Sequence, residues 1–301
     1  MREYYDIPNN KDWIEINKIN KGWSADKKFY IKTIYNKGLL LKISDISEYN
    51  KKKDEFFKIK ALNNKDILMS SAIDFGICNN GKSVYSLFTW IDGQDADLII
   101  NELNKEEKYN LGFTAGKYLK EIHSIATPSF ELDWDIKFNA KIDKKISSYK
   151  GCGINIEGAD KIIAYLQENR HLLYNRPQCF QHGDYHIKNM IITPSKELGI
   201  IDFNRFDYGD PFEEFNRITW SAEASPEFAS GCINGYFNNE VPDIFFRLML
   251  LYILSNAIGS ISWAIPFGQE EINVMIGQTE NVLGWYKGLE SYIPNWYITK
   301  I

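Results

Sequence analysis

Residues 181–211 read QHGDYHIKNMIITPSKELGIIDFNRFDYGDP, with aspartates, histidines and asparagines set between the apolar runs Met190-Ile191-Ile192 and Leu198-Gly199-Ile200-Ile201. A solvated loop has no reason to hold those apolar runs, so the segment predicts two short buried strands carrying acids at their ends. The polar side chains divide by chemistry. A carboxylate such as Asp184 can take the proton of an attacking hydroxyl, and Asn189 with Asp202 offers the hard oxygens that Mg²⁺ prefers. Taken singly, each would be a turn or capping residue. Their joint spacing and the flanking strands point to chemistry.

His182-Gly183-Asp184 is followed by four residues and then Asn189, and Asp202-Phe203 comes two strand-like pieces later. This is the spacing of a kinase catalytic loop, in which one aspartate orients a hydroxyl while an asparagine and a second aspartate bind metal. The stretches HGDYHIKNM and IIDFNRFDYGDP resemble the motifs of the aminoglycoside phosphotransferases and the choline-kinase-like small-molecule kinases. In that family glycine replaces the arginine of most protein kinases, so Gly183 points away from a protein kinase, as does the lack of a recognisable activation segment. Leu39-Leu40-Leu41-Lys42-Ile43 resembles the strand whose lysine contacts nucleotide phosphates, and Glu55 resembles its ion-pair partner. Residues 119–125, LKEIHSI, resemble a recurrent helix end of the family.

The resemblance implies transfer of the γ-phosphoryl group of ATP or GTP, with Mg²⁺, to a hydroxyl of a small molecule. Asp184 orients the nucleophile, Asn189 and Asp202 hold the metal, and Lys42 paired with Glu55 steadies the phosphates. A loop around Gly22 and Ser24 closes over the phosphates, and backbone groups from Phe88 to Trp90 receive the base. Two departures stand out: Lys21-Gly22-Trp23-Ser24-Ala25-Asp26 has a single glycine, and Asn204 follows Asp202-Phe203 where protein kinases have glycine. An aminoglycoside-like acceptor leads, with Glu213, Glu214, Trp220 and Glu223 placed where the family builds its acceptor pocket. A solvated acidic helix face explains the same glutamates. Choline, amino sugars or macrolides would use the same catalytic residues, because fold does not fix substrate. A non-catalytic kinase-shaped binding module is the other alternative, and the intact Asp184, Asn189 and Asp202 set argues against it.

Elements must position these residues. Residues 28–35 and 39–44 flank Asn36-Lys37-Gly38, and residues 73–78 and 83–90 flank Asn79-Asn80-Gly81, which predicts two hairpins. Residues 49–62 carry Phe56, Ile59 and Leu62 near helical spacing. Beyond Gly93 the pattern turns helical, over residues 106–125, 160–169 and the last third. The reading is an α+β, protein-kinase-like, two-lobed fold: an N-terminal nucleotide-binding lobe over 1–89 with a small antiparallel sheet, and a mainly helical catalytic and substrate-binding lobe over 90–301. A cleft between lobes is a common ligand site. His182, His186 and His123 are read as structural, since two histidines four apart without a helix make no zinc site. Asp210-Pro211 is read as a helix start.

At 301 residues, with 44% hydrophobic and 15% aromatic content, the chain can bury a large core. Forty acidic against thirty-five basic residues give a net charge of −5, and no basic stripe tracks a phosphate backbone, so nucleic acid is excluded as the main partner. Lys51-Lys52-Lys53 leads into Asp54-Glu55 and reads as a solvated helix face. The four cysteines form no C-x-x-C pair, and MREYYDIPNNKDW has no apolar signal core, so a reduced cytoplasmic protein is expected. The apolar run 248–254 is too short to span a bilayer and reads as a buried helix. A monomer or weak dimer is expected.

Overall fold

The computed structural model describes residues 3–20, 26–128 and 131–299. Strands β1 (Trp13–Ile19), β2 (Lys27–Thr33) and β3 (Gly38–Asp45) precede helix α1 (Tyr49–Leu62), and β4 (Ala72–Cys78), β5 (Ser83–Thr89), β6 (Gln94–Asp95) and α2 (Ala96–Ile99) follow. Next come α3 (Lys105–Ile122), α4 (Trp134–Gly151) and α5 (Ala159–Glu168), then β7 (Cys179–Gln181), β8 (Met190–Ile192), β9 (Leu198–Ile200) and β10 (Asp207–Gly209). Helices α6 (Ile218–Ala224), α7 (Pro226–Phe237), α8 (Asp243–Ala264) and α9 (Gln269–Trp285) complete the chain. This is the kinase-like α+β fold that the sequence predicts.

The chain divides into two compact units, Met1–Ile99 with Asn189–Phe206, and Ile100–Lys188 with Asp207–Ile301. The first holds an antiparallel sheet in the order β1-β2-β3-β5-β4. Both predicted turns reverse through left-handed residues: Asn36 at φ 58°, and Asn79, Asn80 and Gly81 at 55°, 54° and 80°. Helix α1 covers the predicted span and buries Phe56, Ile59 and Leu62, with Phe56 packed 5.5 Å from Phe75 and 5.9 Å from Phe88.

The sequence divides the chain at 89/90, whereas the contacts carry the first unit on to Ile99 and add a distant hairpin. The reason is pairing. Strands β8 and β9 are the predicted buried pair, and β8 also pairs with β6. Ile200 donates its N–H to the Leu68 carbonyl at 2.8 Å and accepts from Ser70 at 3.2 Å, which fastens the hairpin to the segment before β4.

In the second unit α3 and α7 approach backbone to backbone. A Cβ placed on Gly112 or Gly116 would lie 2.0 or 2.1 Å from the Phe228 or Cys232 carbonyl oxygen, and one on Gly231 or Gly235 would lie 2.2 or 2.0 Å from that of Tyr109 or Phe113. Two Gly-x-x-x-Gly stretches therefore dovetail, since only hydrogen fits there. Helix α8 runs well past the predicted apolar stretch on both sides and is long and apolar enough to cross a membrane by length and composition, yet 72% of its most apolar window is buried within the protein. Its unbroken apolar character suits a helix packed on several sides: α4, α5 and α9 all contact it.

Candidate active site

The first unit assembles the proposed phosphate and metal residues around one lysine. Lys42, on β3, is 6% exposed, and its Nζ lies 2.8 Å from Asn204 Oδ1, 3.5 Å from Asp202 Oδ1 and 3.9 Å from Glu55 Oε1. Burying an ammonium is costly unless it is paired, and here two carboxylates and an amide oxygen face it. The pairing of Lys42 with Glu55 is thus present. Asn204, which departs from the glycine of protein kinases, supplies the shortest contact.

A second lysine joins the network. Lys52, on α1, is 7% exposed, with Nζ 3.3 Å from Glu55 Oε2 and 2.6 Å from Asp26 Oδ2, while Ser44 donates to Asp26 Oδ1 at 2.7 Å. The reading of Lys51-Lys52-Lys53 as a solvated face is corrected for Lys52: helical geometry turns it inward beside Glu55, three residues on. Burial alone would lower the Lys52 pKa, but Glu55 and Asp26 outweigh it and raise it above the ordinary lysine value. Gly22 and Ser24 lie outside the described residues.

Asn189 and Asp202 sit at one end of the β8–β9 hairpin, where Ile201 donates its backbone N–H to the Asn189 carbonyl at 3.1 Å. Asp202 adopts φ +69°, a left-handed conformation that is uncommon for a non-glycine residue and is often found at functional sites. Its Oδ1 is buried and accepts no hydrogen bond among the described residues, while Lys28 lies 3.8 Å from Oδ2. Among the described residues no cluster of three or more His, Cys, Asp or Glu side chains could enclose a metal. One carboxylate, one amide and donor phosphates form a set that fits Mg²⁺, which keeps few protein ligands.

Phe88 lies within the sheet and Trp90 just after its strand. Strand β5 is flanked on both sides, so Phe88 pairs with Leu40 and Ala72, and its buried ring lies 5.5 Å from Lys42 Nζ. The backbone N–H groups of Thr89 and Trp90 donate to Ser71 and Gly38 at 2.9 and 3.1 Å. These two N–H groups are therefore already engaged within the unit.

The second unit positions Asp184. Tyr185 donates to the Ala115 carbonyl on α3 at 2.7 Å, and Ile187 N–H donates to Ser221 Oγ on α6 at 3.1 Å, so the loop is tied to two helices. His186 Nε2 lies 3.3 Å and Arg217 Nε 3.5 Å from Asp184 Oδ1. His182 is fully buried, and its Nδ1 accepts the Asp184 N–H at 3.3 Å, as a structural histidine should. His186, by contrast, touches the acid itself.

Of the acidic cluster proposed for the acceptor, Glu214 faces inward. Glu214 is 2% exposed and accepts the Gly183 N–H at 3.0 and 3.2 Å, with His123 Nε2 3.6 Å away and His123 Nδ1 3.0 Å from the Tyr236 hydroxyl. Burial pushes the Glu214 carboxyl up, but hydrogen bonding and charge from His123, then His182 and the Gly183 N–H, hold it below the ordinary glutamate value. Glu214 thus braces the loop and is withheld from any acceptor, and the solvated-face reading fails for it too. Glu213 accepts from Gln181 at 3.1 Å, and burial raises its pKa despite Lys141 and Lys145 nearby. Trp220 carries Lys188 Nζ 4.2 Å above its ring, and Glu223 is exposed.

Asp210 does open the helical turn, accepting the Phe212 N–H on Oδ1 at 2.9 Å and the Glu213 N–H on its carbonyl at 2.8 Å, but it is more than a cap. It is fully buried, bound by Arg176 Nε and Nη2 at 2.6 and 3.0 Å and by the Tyr252 hydroxyl at 2.6 Å, which in turn accepts from Trp134 at 2.8 Å. Neither Arg176 nor Asn204 carries a local sequence signal, and each meets its partner only through the tertiary fold.

The profile of the phosphotransferase enzyme family matches residues 15–245, well over half the chain. The chain belongs to that family and is a phosphotransferase acting on a hydroxyl acceptor. Among solved structures, ADP-bound aminoglycoside phosphotransferase APH(2'')-Ib superposes with a TM-score of 0.64 at 19% identity, covering 91% of this chain and 96% of that one. The gentamicin–APH(2'')-IIa complex gives 0.64 at 20%, covering 94% and 96%, and the GDP complex of wild-type aminoglycoside 2'-phosphotransferase-IIIa gives 0.67 at 13%, covering 90% and 93%. At these identities the likeness is one of fold. No curated protein matches the sequence significantly.

Proposed function

We propose that the chain is a small-molecule kinase that moves the γ-phosphoryl group of ATP or GTP to an acceptor hydroxyl. The observation that carries this reading is the buried set of Lys42, Glu55, Asn204 and Asp202, in which Asp202 Oδ1 is buried without a hydrogen bond among the described residues and has only the Lys42 ammonium, 3.5 Å away, beside it. A carboxylate oxygen kept dry and unsatisfied is expensive, and a cation ligand would satisfy it.

Asp202 and Asn189 would hold Mg²⁺, whose chemistry is to neutralise charge on the donor phosphates. Lys42, held by Glu55 and Asn204, steadies those phosphates. Asp184 orients the acceptor hydroxyl and takes its proton as the new P–O bond forms and the bond to the nucleoside diphosphate breaks. His186 and the brace from Glu214 to Gly183 fix that carboxylate. Positioning and charge supply most of the catalysis in such transfers. The nucleobase meets backbone groups from Phe88 to Trp90 or just beyond them, the N–H groups of Thr89 and Trp90 being engaged already.

Aminoglycosides, named for the solved relatives, are the first acceptors to assay, followed by choline, amino sugars and macrolides. Four free cysteines suit a reduced, cytoplasmic setting. The test is Mg²⁺-dependent phosphate release from ATP and from GTP by the wild type, Asp184→Ala and Asp202→Ala. Release by the wild type alone supports the kinase. Equal release by all three would favour a binding module.

A further inference from the structure

Three features of the second unit bear on what the acceptor is. Lys145, on α4, approaches Ser255 Oγ at 3.4 Å and has no carboxylate within ion-pair distance among the described residues. Among the described residues, the only carboxylate paired with Arg217 is Asp184, the group that must receive the acceptor hydroxyl. Most of the features that would welcome a cation are taken, with Glu223 left exposed: Glu214 binds Gly183, Asp207 pairs with Lys137 and Lys141 at 3.3 and 3.4 Å, and Trp220 already carries Lys188.

We infer that the acceptor is an anion, a hydroxylated carboxylate or phosphate ester whose negative group is bound by Arg217 and Lys145 while its hydroxyl meets Asp184. The inference rests on the kinase reading and names its acceptor class. Arg217 and Asp184 are 25% and 19% exposed at their side chains, so both are partly accessible. Arg217 presents a planar fork suited to carboxylate or phosphate, and Lys145 adds a point charge. A polycation arriving here would meet Arg217, Lys145 and Lys141 together, and like charges in one site repel.

Burial lowers the Lys145 pKa to about 8, opposed by Glu213 and assisted by Lys141 and Arg217. Among the described residues, these three and Ser255 on α8 are the polar groups that face it. Its positive charge is therefore lost as pH rises through about 8, and anion binding weakens there.

The experiment uses the full chain with Mg²⁺ and ATP or GTP against gluconate and glycerate, glycerol 3-phosphate, neutral myo-inositol, and cationic kanamycin and choline. The expected result is highest kcat/KM with the anions, the first two and the third separating carboxylate from phosphate. Lys145→Gln should raise the KM for the best anion about tenfold with a smaller change in kcat, leave myo-inositol unaffected, and abolish the rise in KM above pH 8. Preferred turnover of kanamycin, choline or myo-inositol would overturn the inference. If no acceptor is turned over, calorimetry with protein loaded with a non-hydrolysable triphosphate decides: absence of gluconate and glycerol 3-phosphate binding, or equal binding by Lys145→Gln, overturns it. Failure of the kinase reading is seen separately, as loss of Mg²⁺-dependent triphosphate binding itself.

Discussion

Glu214 holds the backbone N–H of Gly183 with both carboxylate oxygens, at 3.0 and 3.2 Å, one residue before the proposed catalytic acid. Gly183 has φ +82°, so the loop reverses here in a conformation that glycine takes without strain, and Glu214 fixes the reversal. The acid that could pass for a substrate anchor belongs to the scaffold of the loop.

Replacing Glu214 with Gln keeps an acceptor for Gly183 and removes the charge. Because the Glu214 pKa is lowered, its contribution to stability is present above the ordinary value of 4.5 and is lost as pH falls through the folded pKa. Wild type should therefore lose stability more steeply than Glu214→Gln on acidification below pH 4.5. Denaturation followed by circular dichroism from pH 7 to 3 reads this directly.

For Asp184→Asn we expect kcat to fall by about 10²–10⁴, the range for losing a positioned proton acceptor. Nucleotide affinity should persist. Asp202→Ala should instead abolish the dependence of triphosphate binding on Mg²⁺, measured by calorimetry with and without chelator.

Lys42→Met should raise the KM for the triphosphate about tenfold or more, by removing a charge-assisted contact to phosphate. Asn204→Ala, which takes away the 2.8 Å partner of that lysine, should raise it less. Equal KM values for Lys42→Met and wild type would remove Lys42 from the phosphate site.

Asp210→Asn should destabilise the protein by about 3–5 kcal/mol, the usual result of removing one partner from a buried ion pair. Arg176 would lose its bidentate carboxylate, and Tyr252 would donate to a weaker acceptor. Urea unfolding gives the value.

Gly231→Ala would bring a methyl to 2.2 Å from the Tyr109 carbonyl oxygen, so either helix must move. A loss of about 1–3 kcal/mol or more is expected, as for an overpacked core. Gly277, with open space around it on α9, is the control: alanine there should be neutral or stabilising.

Much of this arrangement is legible in the sequence where the signal is local. Asn-Gly turns, the apolar spacing of residues 49–62, and two apolar triplets beside acids locate both hairpins, α1 and the β8–β9 pair. The Asp184, Asn189 and Asp202 spacing marks the candidate site, because those residues lie on one loop and the hairpin after it. What stays hidden depends on distant partners. Lys52 looks solvated until Asp26 is folded against it, Asp210 looks like no more than a cap until Arg176 reaches it, and Asn204 has no reason to matter until Lys42 arrives from β3. The glycine seam is visible as letters only, since Gly-x-x-x-Gly does not name its mate.

That seam sets a boundary on how the enzyme can change. Where two helices touch through main chain alone, variation has no methyl-sized steps to take, and adaptation to new acceptors must be written on faces such as those bearing Lys145 and Trp220. The joint beneath the catalytic loop is thereby fixed hardware, and substrate choice is the adjustable part.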